Sequence, residues 1–154
     1  MAKRKSPFAH ERATDSSGFL LWQVTVLWQR RIAAALRAHE LTQVQFALLA
    51  SLLWLARTEG AITQSTLARH AKLDVMMTSQ VLRALEARGL IERRPHPHDT
   101  RAKVLRLTKT GRSLAARALP DVEHADDLFF AALDTQRARF NLSLEALIAS
   151  AQKK

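Results

Sequence analysis

Apolar residues recur at helical spacing along most of this chain, and in one short region they alternate instead. Leu20, Val24, Leu27, Ile32 and Leu36 follow the period of an amphipathic helix, which predicts a first helix over about 17–39. Its apolar width implies contact on more than one side. Thr42 and Gln45 have the spacing of a capping box, and Leu41 and Phe46 occupy the two positions of a hydrophobic staple, so a second helix starts here and runs to about Arg57. Gly60 breaks it. Thr63 caps a short third helix, Gln64 to His70, with Leu67 and Ala68 turned inward. After a tight turn Asp74 caps a fourth helix to Arg88, and Gly89 stands where a left-handed residue is needed, with Leu90 able to fold back on Leu85 as in a Schellman motif. Two helices, a short turn and a cap make a helix-turn-helix.

The alternation falls in Leu90 to Arg94 and Lys103 to Leu107, two runs joined by a tip reading Pro-His-Pro-His-Asp-Thr-Arg. This predicts a projecting β-hairpin. Thr108 then caps a long helix to about Leu133, and Asp134 caps a last one to about Ala151. With four glycines, four prolines, no tyrosine and many Ala, Leu, Arg and Gln, helix should dominate: the fold class is mainly α with a small β-hairpin.

The 154 residues, 47% hydrophobic and 25% charged, suit one soluble globular domain over 15–154, preceded by a flexible basic N-terminus over 1–14; the final lysines are expected to be flexible too. Lys3, Arg4 and Lys5 lead into charged residues, so no secretory signal is expected. The most apolar stretch, Phe19 to Ala38, is interrupted by Gln23, Gln29, Arg30, Arg31 and Arg37, too often for a membrane span. Absence of cysteine excludes disulfides, thiolate metal sites and thiol redox sensing, and agrees with a cytoplasmic location.

Charge changes the picture more. Residues 83–117 hold ten Lys or Arg against three acids, a net of +7 out of the chain's +10. Such a concentration selects polyanions as partners. Catalysis finds no support: Ser65, Ser79 and Ser113 lack a sharp glycine-flanked turn, and neither a phosphate-binding glycine loop nor a carboxylate pair in a recognisable context is present. His96 and His98 alternate on the tip, but two ligands do not make a metal site, and neither metal nor cofactor is expected. His39, His70 and His124 read as capping or surface residues.

Leu41-Thr42-x-x-Gln45-Phe46, Thr63-Gln64-x-x-Leu67-Ala68, Leu85-Glu86-x-x-Gly89-Leu90-Ile91-x-Arg93, Asp99-x-Arg101-Ala102-x-Val104 and Leu107-Thr108-x-x-Gly111 form an ordered set. Together they resemble the multiple antibiotic resistance regulator (MarR) family, over about 17–151. The resemblance implies a winged helix-turn-helix over about 42–107 between dimerisation helices over about 17–39 and 109–151. It implies a homodimeric, sequence-specific regulator of transcription, a repressor on a pseudo-palindromic operator. The alternatives are a non-specific architectural DNA-binding protein, or an adaptor whose basic wing grips an acidic protein.

In such a fold the second helix of the motif enters the major groove of double-stranded DNA by its N-terminal end. Here that end carries Met76, Met77, Thr78, Ser79 and Gln80, with Arg83 one turn on. Gln80 suits adenine, and Arg83 suits guanine or phosphate. The methionines either meet thymine methyl groups or pack inward. Gln64, Ser65 and Thr66 begin the third helix, where a phosphate can bind, and Arg94, Lys103 and Lys109 are further phosphate candidates. The family's Asp-x-Arg pair implies that Arg101 enters the minor groove while Asp99 holds it through a charge-assisted hydrogen bond. The resemblance also implies an effector pocket, for a small aromatic or anionic ligand, to which Trp22, Trp28, Arg31, His39, Phe46 and Trp54 are the candidates; for each tryptophan plain core packing is the competing assignment. Arg31 meets either that ligand or a carboxylate of a partner subunit. Finally, Phe19, Leu20, Trp22, Leu128, Phe129, Phe130, Phe140, Leu144, Leu147 and Ile148 carry more apolar surface than a small winged helix covers, which a two-fold dimer would bury.

Overall fold

Among the described residues, five of the six α-helices start behind a short polar side chain that accepts hydrogen bonds from otherwise unpaired backbone N–H groups. In this computed structural model, which describes residues 7, 9 and 11–152, Ser16 opens α1 (Ser17–Leu36), accepting from the Phe19 N–H at 3.3 Å. Of the stretch read as a flexible N-terminus, residues 1–6, 8 and 10 lie outside the described residues, as do Lys153 and Lys154; Ala13–Asp15 form a 3-10 turn. A second 3-10 turn, Arg37–His39, and left-handed Glu40 lead to α2 (Gln43–Leu55). Its capping box is complete: the Gln45 N–H donates to Thr42 Oγ1 at 3.2 Å and the Thr42 N–H to Gln45 Oε1 at 3.0 Å.

Thr63 caps α3 (Gln64–Ala71), and Asp74 caps α4 (Val75–Ala87), its Oδ1 accepting from the N–H groups of Met76 at 2.8 Å and Met77 at 3.1 Å. Replacing Asp74 with alanine should therefore destabilise the fold by about 1 kcal/mol, read as a lower urea midpoint with unchanged slope. An unchanged midpoint would remove the cap from the account. At the other end of α4, the Gly89 N–H donates to Glu86 O at 2.9 Å and the Leu90 N–H to Leu85 O at 3.0 Å, with Gly89 at φ 67°. These are the two bonds of a Schellman motif.

Strands β1 (Ile91–Pro95) and β2 (Lys103–Leu107) pair antiparallel, Ile91 opposite Leu107 and Pro95 opposite Lys103. The hairpin does not hang free, because Val104 also bridges Thr63 and the Leu105 N–H donates to Ile62 O at 2.8 Å. That third edge fixes the hairpin's base to the entrance of α3. Thr108 caps α5 (Lys109–Phe130), and a 3-10 segment, Ala131–Gln136, joins it to α6 (Arg137–Ala151).

Asp134 does not cap the last helix. It lies inside the 3-10 segment at φ 43°, ψ −123°, and α6 begins three residues later behind Gln136, without a side-chain cap. A cap residue needs extended backbone to aim its side chain at the following N–H groups, and Asp134 lacks it. Side-chain contacts set this corner instead: Arg137 donates to Asp127 Oδ1 at 2.7 Å and lies over the Phe130 ring, which also meets Phe129 and Phe140.

The core gathers Ile32 and Leu36 from α1, Leu48, Leu49 and Leu52 from α2, Leu67 from α3, Leu82 and Leu85 from α4, Ile91 and Leu105 from the hairpin, and Ala115 and Ala118 from α5. Two polar ties hold α1 and its exit to α5: Trp28 Nε1 donates to Asp126 Oδ1 at 2.6 Å, and His39 Nε2 lies 2.6 Å from Asp121 Oδ2. The N-terminal half of α1 is different. Leu20, Leu21, Trp22, Val24 and Leu27 are exposed, as are Leu128, Leu142, Leu147 and Ile148, and α6 has no buried residue.

Candidate nucleic-acid interface

The N-terminal ends of α3 and α4 and the base of the hairpin border one cleft of about 330 Å³, lined by Gln64, Ser65, Val75, Arg93, Ala102 and Lys103 among others. Two helix N-termini and two cations thus meet in one place. The exposed Lys103 and the N–H groups of the first α3 turn that Thr63 does not cap favour an anion there, whereas Asp74 places a carboxylate on the N–H groups of α4 and Arg93 is paired with Glu86.

Along α4, Leu82 and Leu85 are buried and Val81 packs partly against the core, so the opposite face is presented outward. Met76 is 80% exposed and Met77 47%, which excludes core packing for either one in this protomer. Gln80 and Arg83 are exposed, and Arg83 Nη1 donates to Ser79 Oγ at 2.9 Å, one helical turn away. Thr78 departs from the expected reading face. It is 0% exposed, and its hydroxyl donates to Asp74 O at 2.7 Å, because its position in the turn shares the inward side with Leu82 and Leu85.

At α3, Ser65 is exposed, whereas Thr66 is half-buried with its hydroxyl 3.0 Å from Thr63 Oγ1 and its N–H on the same oxygen. Thr66 therefore serves the cap. Gln64 Oε1 receives Arg93 Nη1 at 3.5 Å, and Arg93 Nε donates to Glu86 Oε2 at 3.1 Å. Arg93 thus braces α3, α4 and β1 together. Period-two alternation places it on the same side of β1 as buried Ile91, and Glu86 is the one acid of α4, a pairing signal that reading for cation clusters alone overlooks.

On the outer side of β1, Arg94 makes a bidentate pair with Glu92, Nε to Oε1 at 2.9 Å and Nη2 to Oε2 at 3.1 Å. The Glu92 hydrogen bonds, then its charge, hold the Arg94 guanidinium above its ordinary pKa. A phosphate contact by Arg94 would have to share it with that carboxylate. Lys103 and Arg106 on β2 are exposed.

At the tip, Asp99 Oδ1 accepts from the backbone N–H of Arg101 at 2.9 Å, and no Asp99 to Arg101 side-chain pair is present among the described residues. The expected charge-assisted bond to the guanidinium is replaced by an Asx turn, which positions the backbone of Arg101 and leaves its exposed side chain to point outward. His96, which with His98 alternates on the tip, is half-buried and accepts two backbone hydrogen bonds. Among the described residues no group of three or more His, Cys, Asp or Glu is arranged to hold a metal.

The six effector candidates do not converge within one protomer. Phe46 is 8% exposed and belongs to the core, as its place in the staple dictates. Trp28 and His39 make the α1 to α5 ties described above, while Trp22 and Arg31 are exposed. Trp54 lines a separate apolar groove of about 470 Å³ with Leu53, Arg57, His70, Ala115 and Leu119, and the Arg57 guanidinium lies 5.0 Å above its ring.

Comparison with known proteins agrees with this architecture. The family model for the MarR family matches residues 41–103, from just before α2 to the first residue of β2. The HTH-type transcriptional regulator YdcH of Bacillus subtilis, itself uncharacterized, is 45% identical over 117 residues, covering 76% of this chain and 80% of that one. The HTH-type transcriptional repressor Rv2887 of Mycobacterium tuberculosis is 34% identical over 131 residues, 84% of this chain and 91% of its own length. Among solved structures, the transcriptional repressor CouR bound to a 23-mer DNA duplex superimposes with a TM-score of 0.77 at 27% identity, covering 94% of this chain and 99% of that one. CouR from Rhodococcus jostii RHA1 bound to p-coumaroyl-CoA gives 0.79 at 24% identity, covering 94% and 98%. Coverage of this kind spans the helix-turn-helix, the hairpin and the long flanking helices, and the chain belongs to the MarR family.

Proposed function

We propose that this chain is a homodimeric, sequence-specific DNA-binding regulator of transcription, a repressor that leaves a pseudo-palindromic operator when a small aromatic or anionic ligand binds. The observation that carries the reading is the cleft where the ends of α3 and α4 meet the cationic hairpin, with Met76, Met77, Gln80 and Arg83 exposed beside it. Base edges would be read by that face of α4, and phosphates held by Gln64, Ser65, Lys103 and the helix N-termini. The protein acts by binding and has no catalytic role. A cytoplasmic location follows from that role, and no helix among the described residues is long and apolar enough to cross a membrane.

Ligand response is supported by the groove beside Trp54. Its apolar wall offers packing to an aromatic group, and Arg57, which lies over the Trp54 ring, and His70 offer hydrogen bonds to an anionic group, with the carboxylate of Glu123 in the same lining. A ligand wedged between α2 and α5 would shift the lobe that carries α4 relative to the dimer helices, and so change the spacing of the two recognition helices.

Selection of bound sequences from a random duplex pool tests the function directly. It should return one pseudo-palindrome, preferred over random DNA by at least roughly 10³ at physiological salt. Equal binding to every duplex would instead identify an architectural protein, and no retention of duplex at moderate salt an adaptor for an acidic partner. On the selected operator, Arg101→Ala should weaken binding by about 1 to 3 kcal/mol with the dimer intact. Unchanged affinity in a gel-shift titration would remove Arg101 from the contact.

A further inference from the structure

We propose that His96 is the positioning residue of the wing, holding the tip in the shape that presents Arg101 to DNA; this rests on the DNA-binding reading above. The tip, residues 96–102, contains no buried side chain, so packing does not determine its conformation. Hydrogen bonds must. His96 Nδ1 accepts from the backbone N–H groups of His98 at 3.2 Å and Asp99 at 3.1 Å. The His96 N–H donates to Ala102 O at 3.2 Å, and the Ala102 N–H to Asp99 O at 3.1 Å, closing the loop from the other side. Asp99, held this way, takes the Arg101 N–H on its carboxylate at 2.9 Å. The chain of dependence therefore runs from His96 through Asp99 to Arg101.

The sequence around His96 suits that task. Pro95 and Pro97 restrict the backbone on both sides, and Pro97 has no N–H, so the first donors available after the turn are those of His98 and Asp99. Both go to one ring nitrogen. Accepting them requires a lone pair on Nδ1, hence a neutral imidazole with its proton on Nε2. An asparagine at this position carries its Oδ1 on the same atom of the side-chain path as Nδ1 and can accept the same two bonds, whereas alanine offers no acceptor.

The test uses the full-length dimer, the operator returned by selection, and four variants: His96→Ala, His96→Asn, Arg101→Ala and the double variant His96→Ala with Arg101→Ala. Affinity is measured at one salt concentration and one mildly alkaline pH. His96→Ala should bind roughly fivefold or more weakly, His96→Asn within about twofold of the parent chain, and His96→Ala should add less than about twofold once Arg101 is already alanine. Melting temperatures should match closely throughout, since no side chain of residues 96–102 is fully buried. Parent-like binding by His96→Ala, additive effects in the double variant, or equal weakness of the Asn and Ala variants would each overturn the role. If Arg101→Ala weakens binding and His96→Ala does not, only the His96 role falls. If Arg101→Ala also binds like the parent chain, the wing's contact with DNA falls with it.

Discussion

Replacing Gly111 with alanine is expected to destabilise the fold by about 3 kcal/mol, the upper end of what overpacking a close contact usually costs. A Cβ at this position would stand 1.8 Å from the carbonyl oxygen of Leu90 and 2.7 Å from its carbon. Both are backbone atoms, so no side chain can rotate aside. They are also held in place: the Thr108 N–H donates to that same oxygen at 3.1 Å, the Thr108 hydroxyl donates to Gly89 O at 2.7 Å, and the Gly111 N–H donates back to the hydroxyl at 3.0 Å. This joint sets the first turn of α5 against the exit of α4, and so connects the helix proposed to read DNA to the long helix behind it. Thermal unfolding should show a midpoint lower by roughly 6–12 °C. A Gly111→Ala chain as stable as the parent would mean that α5 can slide along α4 at little cost, which would contradict a rigid joint.

Leu147→Asp is expected to convert the dimer to monomers and to abolish operator binding at the same time. Leu142, Leu147 and Ile148 on α6, Leu128 on α5 and Leu20, Leu21 and Trp22 on α1 all lie exposed in the single protomer, Trp22 by 68%. Side chains of this kind are worth about 1.5–3 kcal/mol each when fully buried, so their association supplies a large driving force. A carboxylate placed among them would either block burial or be buried unpaired, and both outcomes oppose the dimer. DNA affinity falls with it because two recognition helices joined in one dimer bind two half-sites together, and a separated protomer keeps only one. Light scattering would report the change in mass and a gel shift the loss of binding. A monomeric Leu147→Asp chain that still held the full operator tightly would disconnect the dimer from DNA recognition.

Much of the motif was legible along the chain because it depends on neighbours three or four residues apart. Thr42 with Gln45, Thr63 with Thr66, Asp74 with Met76 and Met77, and Thr108 with Gly111 are all bonds within one helical turn, so residue type at fixed spacing suffices to place them. Gly89 follows by the same logic from the Schellman turn. The hairpin was legible from alternation, although its first strand begins at Ile91, one residue later than expected, since Leu90 is taken up by the helix exit.

What sequence spacing could not resolve depended on which side of an element meets another. Thr78 reads like a neighbour of Ser79 on the DNA face, yet the angle of α4 against the core buries it. The carboxylate of Asp99 reads as a partner for a guanidinium, yet the turn brings a backbone N–H to it first. Trp28 and His39 read as pocket walls, yet α5 supplies Asp126 and Asp121 to receive them, across 98 and 82 residues of chain.

The chain by itself determined the starts of α1 to α5, the stop at Gly89, the hairpin, the local excess of positive charge and the family, because caps, alternation and charge are properties of residues close in sequence; the start of α6, where Asp134 does not cap, was not among them. Tertiary structure alone decided which of those residues face outward, that Arg93 braces three elements, that the hairpin is anchored at Ile62 and Thr63, and that His96 Nδ1 accepts two backbone N–H groups of the tip. Those outcomes depend on the orientation of packed elements, which is set by the sum of many distant contacts and is not encoded in any single spacing.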